Sequence, residues 1–435
     1  MTVVNFDPKI LDRARGALFG SAIGDAIGLY TEFMTADQAE EAYGPSPDFT
    51  LVSPETKLHN DSHRCRFESR AWTDDTDHTL LIVLSYLRLR ELSPNDLAVR
   101  LNSWCTQGLR VLDRLPIGLG KLAGTVGSVV LSPSYSSDPT GTALKYWEKG
   151  GRIAAPNGSL MRTTPVGVVC IPTTEEATFA AAVRMGAITH ADPRCAVSVA
   201  IVSGLIRALC LGEITDDEQV HAVIERAWAY VQRTLPRAHA ELLDRTEFAR
   251  HAYAESLDAL VLCDREMGYV YKCIGAALWC LRRVLRREET FRSAMTALVM
   301  RGGDADTNGA VAGALMGALV GYECLPSQWR DGMRHEAWYG AKVTALCCVA
   351  GLSDGIYDSA SDTDTALDGG RGFLSEEQLK KREMEIMEKM LLVEKERRDA
   401  VSSQARKNQP QRRFLITWLD LASKLRSVFV RPERR

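Results

Sequence analysis

Apolar residues recur at three- and four-residue steps through most of the chain, the spacing that lines one face of a helix. The pattern predicts helices over His78–Glu91, Thr174–Ala187, Cys195–Leu211, Asp217–Arg233, Tyr269–Arg286 and Thr290–Met300. Thr174 is placed to head its helix with Ala177 and Phe179 inward, and Thr215 to cap the run that follows Gly212. No series of alternating apolar and polar positions with hairpin turns is present, so the main body is expected to be all-α: a compact orthogonal multi-helix bundle with a C-terminal helical tail. Self-similarity at solenoid periods of about 20–50 residues is absent.

Two helical stretches carry glycine at every fourth position. Gly16, Gly20, Gly24 and Gly28 form one stripe, and Gly309, Gly313, Gly317 and Gly321 the other. Steps of four keep each set on one helix face, and each glycine costs a helix interior about 1 kcal/mol against alanine. That cost implies close backbone packing, either in a membrane or in a soluble core. The apolar run Ala310–Tyr322 is shorter than the roughly 20 residues that span a bilayer. A soluble seam between the two stripes is therefore expected.

The composition changes near Gly351. Residues 8–350 form the expected body. Residues 351–373, rich in Ser, Asp, Thr and Gly, are expected to be a disordered linker. Residues 374–435 follow as a charged helix and a basic tail. Leu379, Met384, Met387 and Leu391 on that helix suit a partner helix or a solvated single one. Beyond Val401, nine Lys or Arg stand against Asp420 and Glu433, interleaved with Phe414, Trp418, Leu421, Leu425 and Phe429. Such a basic amphipathic helix fits an anionic membrane surface or a partner protein's groove. The other readings are folding back on the body, or disorder until bound.

The remaining bulk properties bound the setting. A net charge of −3 gives no general case for nucleic acid as a partner. Eleven cysteines without C-x-x-C spacing read as reduced thiols. Met1–Arg15 lacks an apolar leader and carries Asp7 and Asp12. A cytoplasmic protein is expected, with the nucleus as the other compartment these features admit.

The candidate chemistry lies in two acidic clusters, Thr73-Asp74-Asp75-Thr76-Asp77 and Gly302-Gly303-Asp304-Ala305-Asp306-Thr307. Each precedes an apolar run, so each could simply cap a helix. A cap needs one such residue, and crowded carboxylates repel without a cation. Oxygen-only donors suit hard cations such as Mg²⁺ or Mn²⁺. If the fold joins the clusters, they supply enough ligands for two ions. His59, His63, Cys65 and His78 fit no compact zinc spacing and are expected in a polar loop near the mouth of the site.

Four motifs stand in a telling order: Gly24-Asp25-Ala26-Ile27-Gly28, Trp72-Thr73-Asp74-Asp75-Thr76, Asn157-Gly158-Ser159-Leu160-Met161-Arg162 and Gly302-Gly303-Asp304-Ala305-Asp306-Thr307. The chain resembles ADP-ribosylglycohydrolases from about Arg13 to Lys342. The resemblance implies an all-α bundle with a binuclear Mg²⁺ (or Mn²⁺) site, acting on bonds at the anomeric carbon of ADP-ribose in proteins or small conjugates. It implies Thr73, Asp74, Asp75, Asp304, Asp306 and Thr307 as metal ligands, with Asp75 and Asp306 bridging. Asp74 is the expected general base, and Glu32 matches a substrate-gating glutamate. Asp25 is either a carboxylate behind the ligands or a plain polar residue. Asn157, Gly158, Ser159, Met161, Arg162 and His190 match the family's ADP-ribose contacts, and Gly118, Gly120 and Thr125 resemble a phosphate-facing stretch. Ala305 departs from the family's usual Thr. The alternative function is a non-catalytic ADP-ribose-binding or crystallin-like structural member. Which linkage is cleaved is not legible in the loops.

Overall fold

A computed structural model describes residues 7–117 and 127–408, with only the backbone considered for 400–408. Gly118, Gly120, Thr125 and the basic tail from Arg412 lie outside the described residues. The described chain contains helices and isolated bridges but no strand. Fifteen helices there have six residues or more. They are α1 (Pro8–Gly28), α2 (Ala36–Tyr43), α3 (Asp74–Leu89), α4 (Pro94–Gln107), α5 (Pro139–Lys149), α6 (Thr164–Val169), α7 (Glu175–Ala187) and α8 (Pro193–Leu211). There follow α9 (Asp217–Thr234), α10 (Arg245–Ala252), α11 (Val270–Leu285), α12 (Phe291–Val299), α13 (Ala305–Val320), α14 (Glu336–Val349) and α15 (Glu376–Asn408). The six helices expected from periodicity all occur, with ends shifted by a few residues.

Local chemistry explains several of those ends. Thr174 caps α7 through the Ala177 amide, and Phe179 is buried as expected, but Ala177 is exposed. The cap of α9 is Asp216, in a reciprocal box with Gln219, rather than Thr215. Thr215 instead donates its hydroxyl to the Gln219 side chain. The apolar helix α8 is long enough to cross a membrane by composition, yet 78% of it is buried inside the protein.

The glycine stripes form the central seam, antiparallel and without side chains between the backbones. A Cβ on Gly24 would fall 1.9 Å from the Gly309 carbonyl oxygen, and one on Gly20 would fall 2.2 Å from that of Gly313. Gly16 meets Gly317 in the same way, and Gly28 meets Ala305 and the Asp306 Cα. Hydrogen bonds pin both ends. Tyr322 N donates to Asp12 O at one, while Phe33 N donates to Gly303 O and Gly303 N to Met34 O at the other. The seam thus sets α1 and the turn carrying Glu32 directly against the start of α13.

The chain divides into two units, Met1–His59 with Phe67–Lys381, and Asn60–Arg66 with Arg382–Arg435. In the first, residues 352–374 are ordered, which corrects the expectation of a disordered linker. Asp362 accepts from Lys342 Nζ and the Tyr357 hydroxyl, and Asp364 from Trp338 Nε1. Arg100 Nη2 and Arg110 Nε donate to the Thr365 and Gly372 carbonyls, and Thr365 is fully buried. A polar segment can be held by charge and backbone bonds where it lacks an apolar pattern. In the second unit, Asn60 Nδ2 donates to Glu396 Oε2, and Met384, Met387 and Leu391 are exposed.

Candidate metal centre

The first cluster opens α3. Thr73 is its N-cap, accepting from the Asp75 amide, so one residue fills the capping role and the acids remain for other work. Asp25, on α1, is fully buried behind it. Its Oδ1 accepts from Thr73 N (2.8 Å), and its Oδ2 accepts from Thr76 N (2.9 Å) and the Thr76 hydroxyl (2.6 Å). Burial raises the Asp25 carboxyl to about 6 against the pull of those bonds. It is an orienting group that holds the loop entering α3.

The second cluster opens α13 without a side-chain cap. Asp304 instead accepts from Asn157 Nδ2 at 2.7 Å. Oxygens of Glu32, Asp304 and Asp306 all lie within 4.8 Å of one another, the one group of three or more candidate ligands among the described residues. Asp75 lies close enough to Asp304 for the two charges to repel, and Thr307 close enough to offset part of that, so the fold brings the two clusters together. Thr73 Oγ1 also donates to Asp75 Oδ2 (3.2 Å), while Asp75 Oδ1 is buried without a protein partner.

Electrostatics give the same picture. Burial comes first in raising Asp74, Asp75 and Asp306 well above the ordinary carboxylate range, and like charge adds to it. Glu32 repels Asp74 and Asp306; Asp304 repels Asp75 and Asp306. No cation is among the groups that act most strongly on Asp74, Asp75 and Asp306. The donors are oxygens only, and a divalent cation relieves both the repulsion and the unbonded Asp75 oxygen. The residues present therefore fit a hard metal ion.

Asn157 lies at the cluster, its amide holding Asp304 and its own N–H bonding Gly268 O. Gly158 and Ser159 are buried in the same short turn. Met161 and Arg162 point into the interior, with Met161 3% and Arg162 1% exposed. His190 is buried beside Thr189, its Nδ1 at 2.7 Å from the hydroxyl. Asp77 turns away from the cluster to accept from Trp72 Nε1, Trp104 Nε1 and Arg114 Nη1. His78 lies inside α3 with its ring edge-on to Trp104, not in a loop at the mouth. Sequence reasoning missed Gly268, which a Cβ would place 3.7 Å from Asp304 Oδ2. No motif marks it.

A helical scaffold presenting an oxygen-only carboxylate centre at the end of a glycine seam defines a narrow class. The model of the ADP-ribosylglycohydrolase family matches residues 7–368, and the chain belongs to that family. It is 27% identical to the ADP-ribosyl-[dinitrogen reductase] glycohydrolase of Rhodospirillum rubrum, over 79% of this chain and 99% of that protein. An ADP-ribosylarginine hydrolase of Serratia proteamaculans is 24% identical, over 75% of this chain and 76% of its own length. The mouse (Mus musculus) ADP-ribosylhydrolase ARH3 is 25% identical, over 74% and 88% respectively. A solved ADP-ribosylglycohydrolase-related protein complex shares the fold, with TM-score 0.50 and 23% identity, covering 79% of this chain and all of that one.

Proposed function

We propose that the protein is a divalent-metal-dependent hydrolase that cleaves the glycosidic bond at the anomeric carbon of ADP-ribose, in ADP-ribosylated proteins or small conjugates. The observation that carries the reading is the convergence of Glu32, Asp304 and Asp306, with Asp75 close enough to Asp304 and Asp306 to share their repulsion. Thr73, Asp74, Asp75, Asp304, Asp306 and Thr307 would hold Mg²⁺, as two ions, with Mn²⁺ an acceptable substitute. Bound metal would supply positive charge for the ribose hydroxyls and acidify a water.

The chain's own residues do the rest. Asp25 fixes Thr73 and Thr76, and Asn157 fixes Asp304, so the ligand oxygens are oriented before substrate arrives. Asp74, less enclosed than Asp75, would take the proton of the attacking water. Asp75 and its neighbours stabilise the positive charge that grows at the anomeric carbon. Glu32, on the turn after α1 with its N–H bonded to Gly28 O, would gate substrate.

The test is release of ADP-ribose by the full chain from arginine-linked, serine-linked and O-acetyl substrates, with and without EDTA. Arginine linkage comes first, because relatives carry it in their names. Metal binding without release from any of the three would overturn the reading. Tight ADP-ribose binding in that case would establish the non-catalytic alternative.

A further inference from the structure

A groove of about 550 Å³ runs along α12, outside the carboxylate centre. One wall is α12 with the residues at its two ends, Thr290 before it and Met300 and Arg301 after it. The other is Ala36 and Glu40 of α2 with the turn from Pro45 to Pro47. A volume of that order is what a binding cleft offers. None of the described lining residues belongs to the acidic clusters or to the Asn157 turn.

Both walls lead into the centre. Ala36 stands four residues after Glu32, and Arg301 three before Asp304. At about 3.8 Å per Cα step, the near end of the groove lies within about 15 Å of one acid and about 11 Å of the other. Backbone bonds lock the walls together at that end. Phe33 N donates to Gly303 O and Gly303 N to Met34 O, while the Thr31 hydroxyl donates to Val299 O. The groove therefore keeps a fixed position beside the acids.

Its lining selects the occupant. No aromatic ring among the described lining residues is there to stack a base. The two guanidiniums are already engaged, Arg292 with Asp48 and Gln328 and Arg301 with Asp258, which leaves no spare charge for a phosphate. What remains is the hydroxyls of Ser46, Ser293 and Thr296 beside the apolar surface of Ala297, Met300 and the prolines. Hydroxyls both donate and accept, as an extended main chain requires, and methionine adapts to varied side chains. At about 3.3–3.6 Å per residue, a chain with its modified side chain at the centre reaches the groove within about five residues.

We propose that the groove between α2 and α12 is a docking surface for the main chain that flanks the modified residue of an ADP-ribosylated protein. Its occupant rests on the hydrolase reading. The groove gives this chain a means of choosing a modified polypeptide over a small conjugate, which the acidic centre alone does not supply.

The test is steady-state release of ADP-ribose by the full chain from two substrates: a short peptide modified at a central arginine or serine, and the same amino acid modified but free. The wild type is expected to show a kcat/KM roughly tenfold or more higher for the peptide. Glu40→Trp and Thr296→Trp fill the groove, the first from an exposed position on α2. Each is expected to raise KM for the peptide roughly tenfold, leaving its kcat and both constants for the free conjugate unchanged. Should Thr296→Trp disturb α12, Glu40→Trp decides alone. A wild type without preference for the peptide, or variants that affect both substrates equally or neither, would overturn the proposal. Failure of the hydrolase reading would show separately, as no release from either substrate. Fluorescence anisotropy of the labelled peptide then reads the groove directly. Binding weakened by Glu40→Trp would sustain the docking surface, and equal binding by wild type and variant would overturn it.

Discussion

Asp306 and Asp362 are carboxylates enclosed by helices of the same body, yet their surroundings push them in opposite directions. Around Asp306 the neighbours are Glu32, Asp75 and Asp304, and its carboxyl is held well above the ordinary range. Around Asp362 they are Lys342 Nζ and the Tyr357 hydroxyl, and hydrogen bonds to both outweigh burial to hold its carboxyl below that range. Asp77 belongs with Asp362, since two indole N–H groups and a guanidinium surround it. One set of acids holds the fold together, while the other strains it, a strain that the proposed cation would relieve. Sequence proximity does not separate them: Asp75 and Asp77 are two residues apart on one helix and belong to different sets.

The sharpest way to break this division is Asp306→Asn. Metal affinity and turnover should fall about 100-fold or more, since the lost charge is what holds a hard cation. Helix content should be unchanged, and full activity at low Mg²⁺ would move Asp306 out of the metal set. Asp77→Asn should do the reverse. With Arg114 left without its carboxylate, the variant should lose about 3 kcal/mol in a denaturant melt while still binding Mg²⁺.

Lys342→Met should cost less, about 1–2 kcal/mol, because Asp364 keeps Trp338 and Asp362 keeps Tyr357. Asp362 is depressed when folded, so this contribution is full at neutral pH and lost as acid protonates Asp362. A Lys342 variant as stable as wild type at neutral pH would remove the reason for ordering of residues 352–374. The smallest effect is a pH-dependent shift. Metal-free Asp25 is raised from 3.8 to about 6, so its share of stability falls as pH rises through that window, whereas depressed His190 works in the opposite sense. The difference made by Mg²⁺ isolates the carboxylates. Thermal stabilisation by Mg²⁺ should be greater at about pH 7.5 than at about pH 5, by something of order 1 kcal/mol. Equal shifts at both would count against ligation by these acids.

The seam and the two clusters were legible because both rest on spacing: glycine every fourth residue, and acids too crowded for a cap. What spacing hides is direction. Nothing in the sequence says that Asp77 turns toward Trp72 and Trp104, or that Asn157 reaches Asp304. Asp25 could be read either way until its two oxygens were seen to hold Thr73 and Thr76. Residues 352–374 look like a linker because their anchors are carbonyl oxygens and isolated acids, which leave no periodic trace.

The glycine seam also carries a temporal consequence. Its two halves come from opposite ends of the body's sequence, so a chain made from its N-terminus presents α1 long before α13 exists. During that interval the bare face of α1 has no proper partner, and contacts between such distant segments form slowly. The first cluster can cap α3 early, but Glu32 meets Asp304 and Asp306 only once α13 has docked. Under the proposed function, metal uptake would therefore come late in the birth of this protein, once α1 and α13 have met.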